Sequence, residues 1–133
     1  MMSGWGRWSI PLLALLAGCV ASIARPVSDN NAVLALVTQA QAEREAGRTV
    51  NAASALDRAL RIEPRNAALW HERAQLAWQM GDPAQAEQLA ARSSTLAGHD
   101  AALRARNWEL IAQARAARGD EAGASAARQR AQE

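Results

Sequence analysis

The chain has 133 residues, with 15 basic and 13 acidic side chains, a formal net charge of +2 and a single cysteine. That length holds one small domain, the near balance of charge leaves no basic footprint for nucleic acid, and one thiol cannot close an internal disulfide. Alanine fills 34 positions, Phe and Tyr are absent and every basic residue is Arg, a composition that favours helix almost throughout.

The first 18 residues read as an export signal. A lone positive charge, Arg7, precedes the apolar run from Ile10 to Gly18. Nine residues cannot cross a bilayer, which requires about 20 apolar positions in a helix. The run ends in LLAGC, Leu15 to Cys19, which resembles the lipobox of bacterial lipoproteins, where a small residue fits the signal peptidase and the next Cys is acylated. The resemblance implies a mature chain that begins at Cys19 and is anchored by several acyl chains, an attachment stronger than one chain gives. Val20 follows where an Asp often retains lipoproteins in the inner membrane, so the expected address is the periplasmic face of the outer membrane.

Residues 19–30 form a short tether. The stretch VASIARPVSDN contains Pro26 and three candidate helix N-caps, Ser28, Asp29 and Asn30. Fully extended, these eleven residues reach roughly 35 to 40 Å, which keeps the folded part near the membrane.

The remainder, residues 31–133, is predicted to be one all-helical domain with helices near 31–46, 49–62, 67–80, 83–97, 101–118 and 120–131. Three marks repeat in phase. Leu36, Trp70 and Trp108 each precede a glycine, Gly47, Gly81 and Gly119, by eleven residues. Four residues after each large side chain stands Ala40, Ala74 or Ala112, and five after each glycine stands Ala52, Ala86 or Ala124. Small residues at these points let two helices cross closely, and glycine adopts the left-handed conformation that ends a helix. Pro83 suits the first turn of a helix, where its missing N–H is harmless.

Leu36 and Trp70 are 34 residues apart, and Trp70 and Trp108 are 38 apart, with Gly98 to Ala101 between repeats. The pattern resembles the tetratricopeptide repeat, a 34-residue helix-turn-helix unit, over roughly residues 32–131. Pro64 stands at the family's inter-repeat proline position. Arg73, Ala77, Gly98 and Arg128 depart from the family pattern. The resemblance implies a short α-solenoid of about three repeats, the last degenerate or serving as the polar cap a solenoid needs.

Two tryptophans share the third helix. Eight residues at 100° each set Trp78 some 80° around the helix from Trp70. Trp70, with Leu69 and Ala74, is expected to pack on the partner helix. Trp78 is open between two roles: packing on the neighbouring repeat, or facing a groove in line with His71 and Gln75. In the family, that stripe lines the concave surface. The corresponding positions are Leu34, Val37, Gln41 and Arg44 in the first repeat and Arg106, Glu109 and Gln113 in the third. Together they would make a mixed groove suited to a segment of another protein. For Arg44, Arg106 and Glu109 an ordinary solvated face is the competing reading.

No catalytic constellation is visible. Neither His71 nor His99 belongs to a metal-binding pattern, and no phosphate-cradling loop or nucleophile motif occurs. We therefore expect no enzyme, no metal and no cofactor. The design resembles two groups of tetratricopeptide lipoproteins, the small activators of bifunctional peptidoglycan synthases and the pilotins of pilus secretins. The expected function is an adaptor for a cell-envelope protein, with a peptidoglycan synthase the first-ranked partner and a secretion or pilus component the second. Direct binding of peptidoglycan through Trp78 and the arginines is a third reading.

Overall fold

The computed structural model describes residues 25–133, so Cys19 and the export segment lie outside the described residues. The chain folds into six α-helices in the order α1 (Asn31–Glu45), α2 (Thr49–Ile62), α3 (Ala67–Gln79), α4 (Pro83–Leu96), α5 (Ala101–Ala117) and α6 (Glu121–Ala131). No strand occurs among the described residues. Each helix packs on the next, and α3 also touches α5, as expected of stacked hairpins.

Local chemistry fixes the boundaries. Asn30, Asn66, Asp82, Asp100 and Asp120 cap α1, α3, α4, α5 and α6, each side chain accepting an N–H from the first turn. Those bonds satisfy donors that a helix start would otherwise leave unpaired. Of the expected N-cap candidates, Asn30 holds the position. It accepts from Ala32 and Val33. Between the paired helices the chain reverses at Gly47, Gly81 and Gly119, with φ of 74°, 77° and 82°.

The alanines do what their spacing predicts. Ala40, Ala74 and Ala112 on the first helix of each pair, and Ala52, Ala86 and Ala124 on the second, are at most 2% exposed. Larger side chains fill the space around these crossings in two clusters. One joins α1, α2 and α3 through Val33, Leu36, Leu56, Leu60, Leu69 and Leu76. The other joins α3 to α6 through Ala74, Ala90, Leu110, Ile111 and Ala127, with Trp78, Leu89 and Trp108 packed against it.

Trp70 is half-buried rather than enclosed. It packs against the first cluster, donates its indole N–H to the Pro64 carbonyl at 2.9 Å, and carries the Arg92 guanidinium 5.9 Å from the ring centroid. The third repeat is held in a similar way. The Arg130 guanidinium of α6 lies 4.7 Å from the Trp108 ring centroid, a cation–π contact. Glu87 of α4 accepts from both Arg115 and Arg118 at the end of α5. Those pairs brace α4 against α5, while the Arg130 contact and an Arg115 guanidinium N–H donated to the Gly123 carbonyl at 3.3 Å fasten α6, whose buried residues are only Ala124 and Ala127.

The residues before α1 are part of this packing. Val27 lies against the first cluster, and its carbonyl accepts from Asn66 Nδ2 at 2.8 Å. Ser28 Oγ donates to Glu63 at 2.6 Å and accepts the N–H of Asn30. The chain is thereby clipped to the junction between α2 and α3.

Candidate functional site

The first helices of the three hairpins, α1, α3 and α5, present one shared face. On it, His71 and Gln75 of α3 and Arg106, Glu109, Leu110 and Gln113 of α5 line a concavity of about 210 Å³. Beside it lies a wider one of about 1000 Å³, bounded by α3, the start of α5 and the clipped segment Arg25 to Val27. His71, Gln75 and Arg106 border both. A third, of about 310 Å³, lies between α1 and α3 and is lined by Gln41, Arg44, Glu45 and Gln79.

Helical spacing produces this grouping. His71 and Gln75 are one turn apart on α3, and Arg106, Glu109 and Gln113 follow at i, i+3 and i+7 on α5, so each set shares a helix face. Five of the expected groove residues therefore meet in one concavity, and Gln41 and Arg44 meet in the neighbouring one. Arg44 is committed within the fold. It donates to Gln79 at 3.0 Å and to Glu72 at 3.2 Å, bracing α1 against α3. Arg106 and Glu109 are exposed and make no ion pair among the described residues.

Three expected groove residues are placed differently. Val37 is a core residue, 6% exposed, because it continues the stripe of Val33 and Ala40 that covers α2. Leu34 is half-buried and borders none of these concavities. Trp78 also borders none. It lies half-buried against the second cluster, as do Leu89 and Trp108. The packing role is the one the structure assigns to this indole.

His71 differs from expectation in another respect, being only 6% exposed although it borders the face. Its Nδ1 lies 2.7 Å from Asn107 Oδ1, Asn107 Nδ2 donates to Ser93 Oγ at 2.8 Å, and Ser93 Oγ donates to the Ala67 carbonyl at 2.7 Å. Asn107 and Ser93 are fully buried, so this relay satisfies polar groups that would otherwise be costly inside the fold. Sequence reasoning missed it. The available signal was polarity in apolar phase: Ser93 continues the stripe of Ala86 and Ala90, and Asn107 lies between Leu103 and Leu110. Away from this face, hydrogen bonds from Arg48 and Asn51 hold the Glu43 carboxyl below its ordinary range, and Glu43 raises the Arg48 guanidinium.

Among the described residues no group of three or more His, Cys, Asp or Glu side chains is placed to hold a metal ion. No described helix is long and apolar enough to cross a membrane.

The repeats have relatives. The family model described as Tetratricopeptide repeat matches residues 43–106. The structure of the globular C-terminal domain of P. aeruginosa LpoP is 45% identical in sequence, with a TM-score of 0.76, and the match covers 80% of this chain and 100% of that domain. The chain belongs to the tetratricopeptide repeat family. The N-terminal domain of stress-induced protein-1 (STI-1) from C. elegans matches with a TM-score of 0.72 at 16% identity, over 81% of this chain and 86% of that one. At that identity the likeness is one of fold alone. No curated protein matches the chain. In tetratricopeptide repeat terms, α1, α3 and α5 are the first helices of the repeats, so the face described above is the concave one.

Proposed function

We propose that this protein is a lipid-anchored adaptor of the outer membrane, attached through Cys19, whose concave face grips a bifunctional peptidoglycan synthase and raises its activity. The observation that carries this reading is the 45% identity to the LpoP domain over that domain's full length. The sequence resemblance to small tetratricopeptide activators of such synthases supports the same assignment. The concave face is suited to the task. Arg106 and Glu109 leave opposite charges available to a partner, and Gln75 and Gln113 offer both donors and acceptors.

The adaptor reading is tested with the full chain in detergent, added to a purified full-length synthase while glycan polymerisation is followed. The rate rises with the wild-type chain and rises less with Arg106→Glu. An unchanged rate with wild-type protein overturns the partner assignment. Anchoring is tested separately by incorporation of labelled palmitate in cells, which Cys19→Ser abolishes. Palmitate incorporation that survives Cys19→Ser overturns the anchor.

A further inference from the structure

The buried relay determines which nitrogen of His71 carries hydrogen. The Ala67 carbonyl can only accept, so the single hydrogen of the Ser93 hydroxyl is committed to it at 2.7 Å. Ser93 Oγ must then accept from Asn107, which orients the Asn107 amide with Nδ2 toward Ser93 at 2.8 Å. Oδ1 is left facing His71 Nδ1 at 2.7 Å. An amide oxygen only accepts, so Nδ1 bears the proton. In the neutral ring Nε2 is therefore a bare acceptor.

That acceptor reaches solvent on the concave face. The only fully enclosed side-chain polar atom without a partner among the described residues is Ser94 Oγ. Nε2 has no hydrogen-bond partner there either, so it is not enclosed, and His71 borders the concavities of about 1000 and 210 Å³. A ring 6% exposed, held at Nδ1 by the buried Asn107 amide that Ser93 in turn orients, cannot turn to offer its other nitrogen.

We infer that His71 is a specificity-determining hydrogen-bond acceptor at the centre of the concave face, taking a backbone N–H from an extended segment of the partner protein. This inference rests on the adaptor reading above. The occupant's chemistry follows from local charge. Gln75 beside His71 is neutral, and Arg106 and Glu109 on the facing helix oppose each other in sign. A neutral amide matches that setting, with the Gln75 and Gln113 amides and Arg106 available to the neighbouring peptide groups. A partner that presents an acceptor at this point meets a lone pair and is rejected.

The tautomer is read directly on the full chain, labelled with nitrogen-15 histidine, in detergent micelles. Long-range proton–nitrogen correlation distinguishes the ring nitrogens, and His71→Gln assigns the signals. The expected spectrum of the neutral ring has a proton on Nδ1 and none on Nε2. A neutral ring in the unbound wild-type chain that carries its proton on Nε2 instead of Nδ1 overturns the inference.

The function of the acceptor is read with Asn107→Asp, a change buried beneath the face. A carboxylate there favours the doubly protonated ring, turning Nε2 into a donor without altering the residues at the surface. Affinity for the detergent-solubilised full-length synthase then falls by about tenfold, the worth of one hydrogen bond. Should that variant fail to fold, Ser93→Ala frees the Asn107 amide and releases the tautomer lock, with the same direction of effect. Arg106→Glu separates the two claims. If it weakens binding while the buried variants do not, the groove reading stands and the role of His71 falls. If none of them weakens binding, both fall. If the buried variants reduce co-sedimentation with isolated sacculi and leave the synthase unaffected, the occupant is a glycan and the backbone-amide assignment is overturned.

Discussion

Trp70 donates its indole N–H to the carbonyl of Pro64 across 2.9 Å, tying the first turn of α3 to the bend that separates the first two repeats. The ring packs on the first cluster on one side and meets Arg92 of α4 on another. One side chain thus contacts both of the repeats it separates.

Replacing Trp70 divides these contributions. Trp70→Phe keeps most of the ring and loses the N–H, costing about 1 kcal/mol. Trp70→Ala removes the packing as well and reaches the lower end of the roughly 3 to 5 kcal/mol typical of buried aromatics, because this ring is only partly enclosed. Urea melts of the two variants measure the difference. Equal losses would show that the hydrogen bond carries the whole effect.

Trp78→Ala destabilises too, by about 2 kcal/mol or more, because the indole packs against the second cluster. A thermal melt is sufficient. An unchanged midpoint together with lost partner binding would return Trp78 to the groove.

At Gly119 the backbone has φ of 82°, and an added Cβ would meet nothing within 4 Å. The cost of Gly119→Ala is then conformational, about 1 to 2 kcal/mol, and Gly119→Asn costs less because Asn tolerates the left-handed region. Denaturant midpoints for the pair check this order. Equal loss in both would point to a steric cause instead.

The Glu43 carboxyl, held below its ordinary value of 4.5 chiefly by hydrogen bonds from Arg48 and Asn51, makes part of the stability pH-dependent. A depressed carboxyl contributes fully above the unfolded value and loses that contribution as pH falls through the folded one. The stability gap between wild type and Arg48→Ala therefore narrows as pH drops below about 4.5. Melts of both proteins from neutrality into that acid range follow it. A constant gap would mean that Arg48 acts without charge.

Helix boundaries were readable because their signals are local. The caps at Asn66, Asp82, Asp100 and Asp120 and the reversals at Gly47, Gly81 and Gly119 act within a few residues of where they stand, and every predicted helix agrees with the structure to within a residue or so. The face toward a partner is set differently. Whether Val37 or Trp78 meets solvent depends on how far each helix is rotated against its neighbour, which no single helix records. Gln75, Arg106, Glu109 and Gln113 were placed together because the repeat phase carries across hairpins. The relay of His71, Asn107 and Ser93 spans 36 and 14 residues, and only the polarity of Ser93 and Asn107 within apolar stripes announced it.

The clip formed by Val27, Ser28, Glu63 and Asn66 changes how mechanical load enters the molecule. Tension applied to the amino-terminal end arrives first at the seam between α2 and α3, bypassing α1. The leading helix is thus shielded from peeling, and the strain is shared by two hairpins at once.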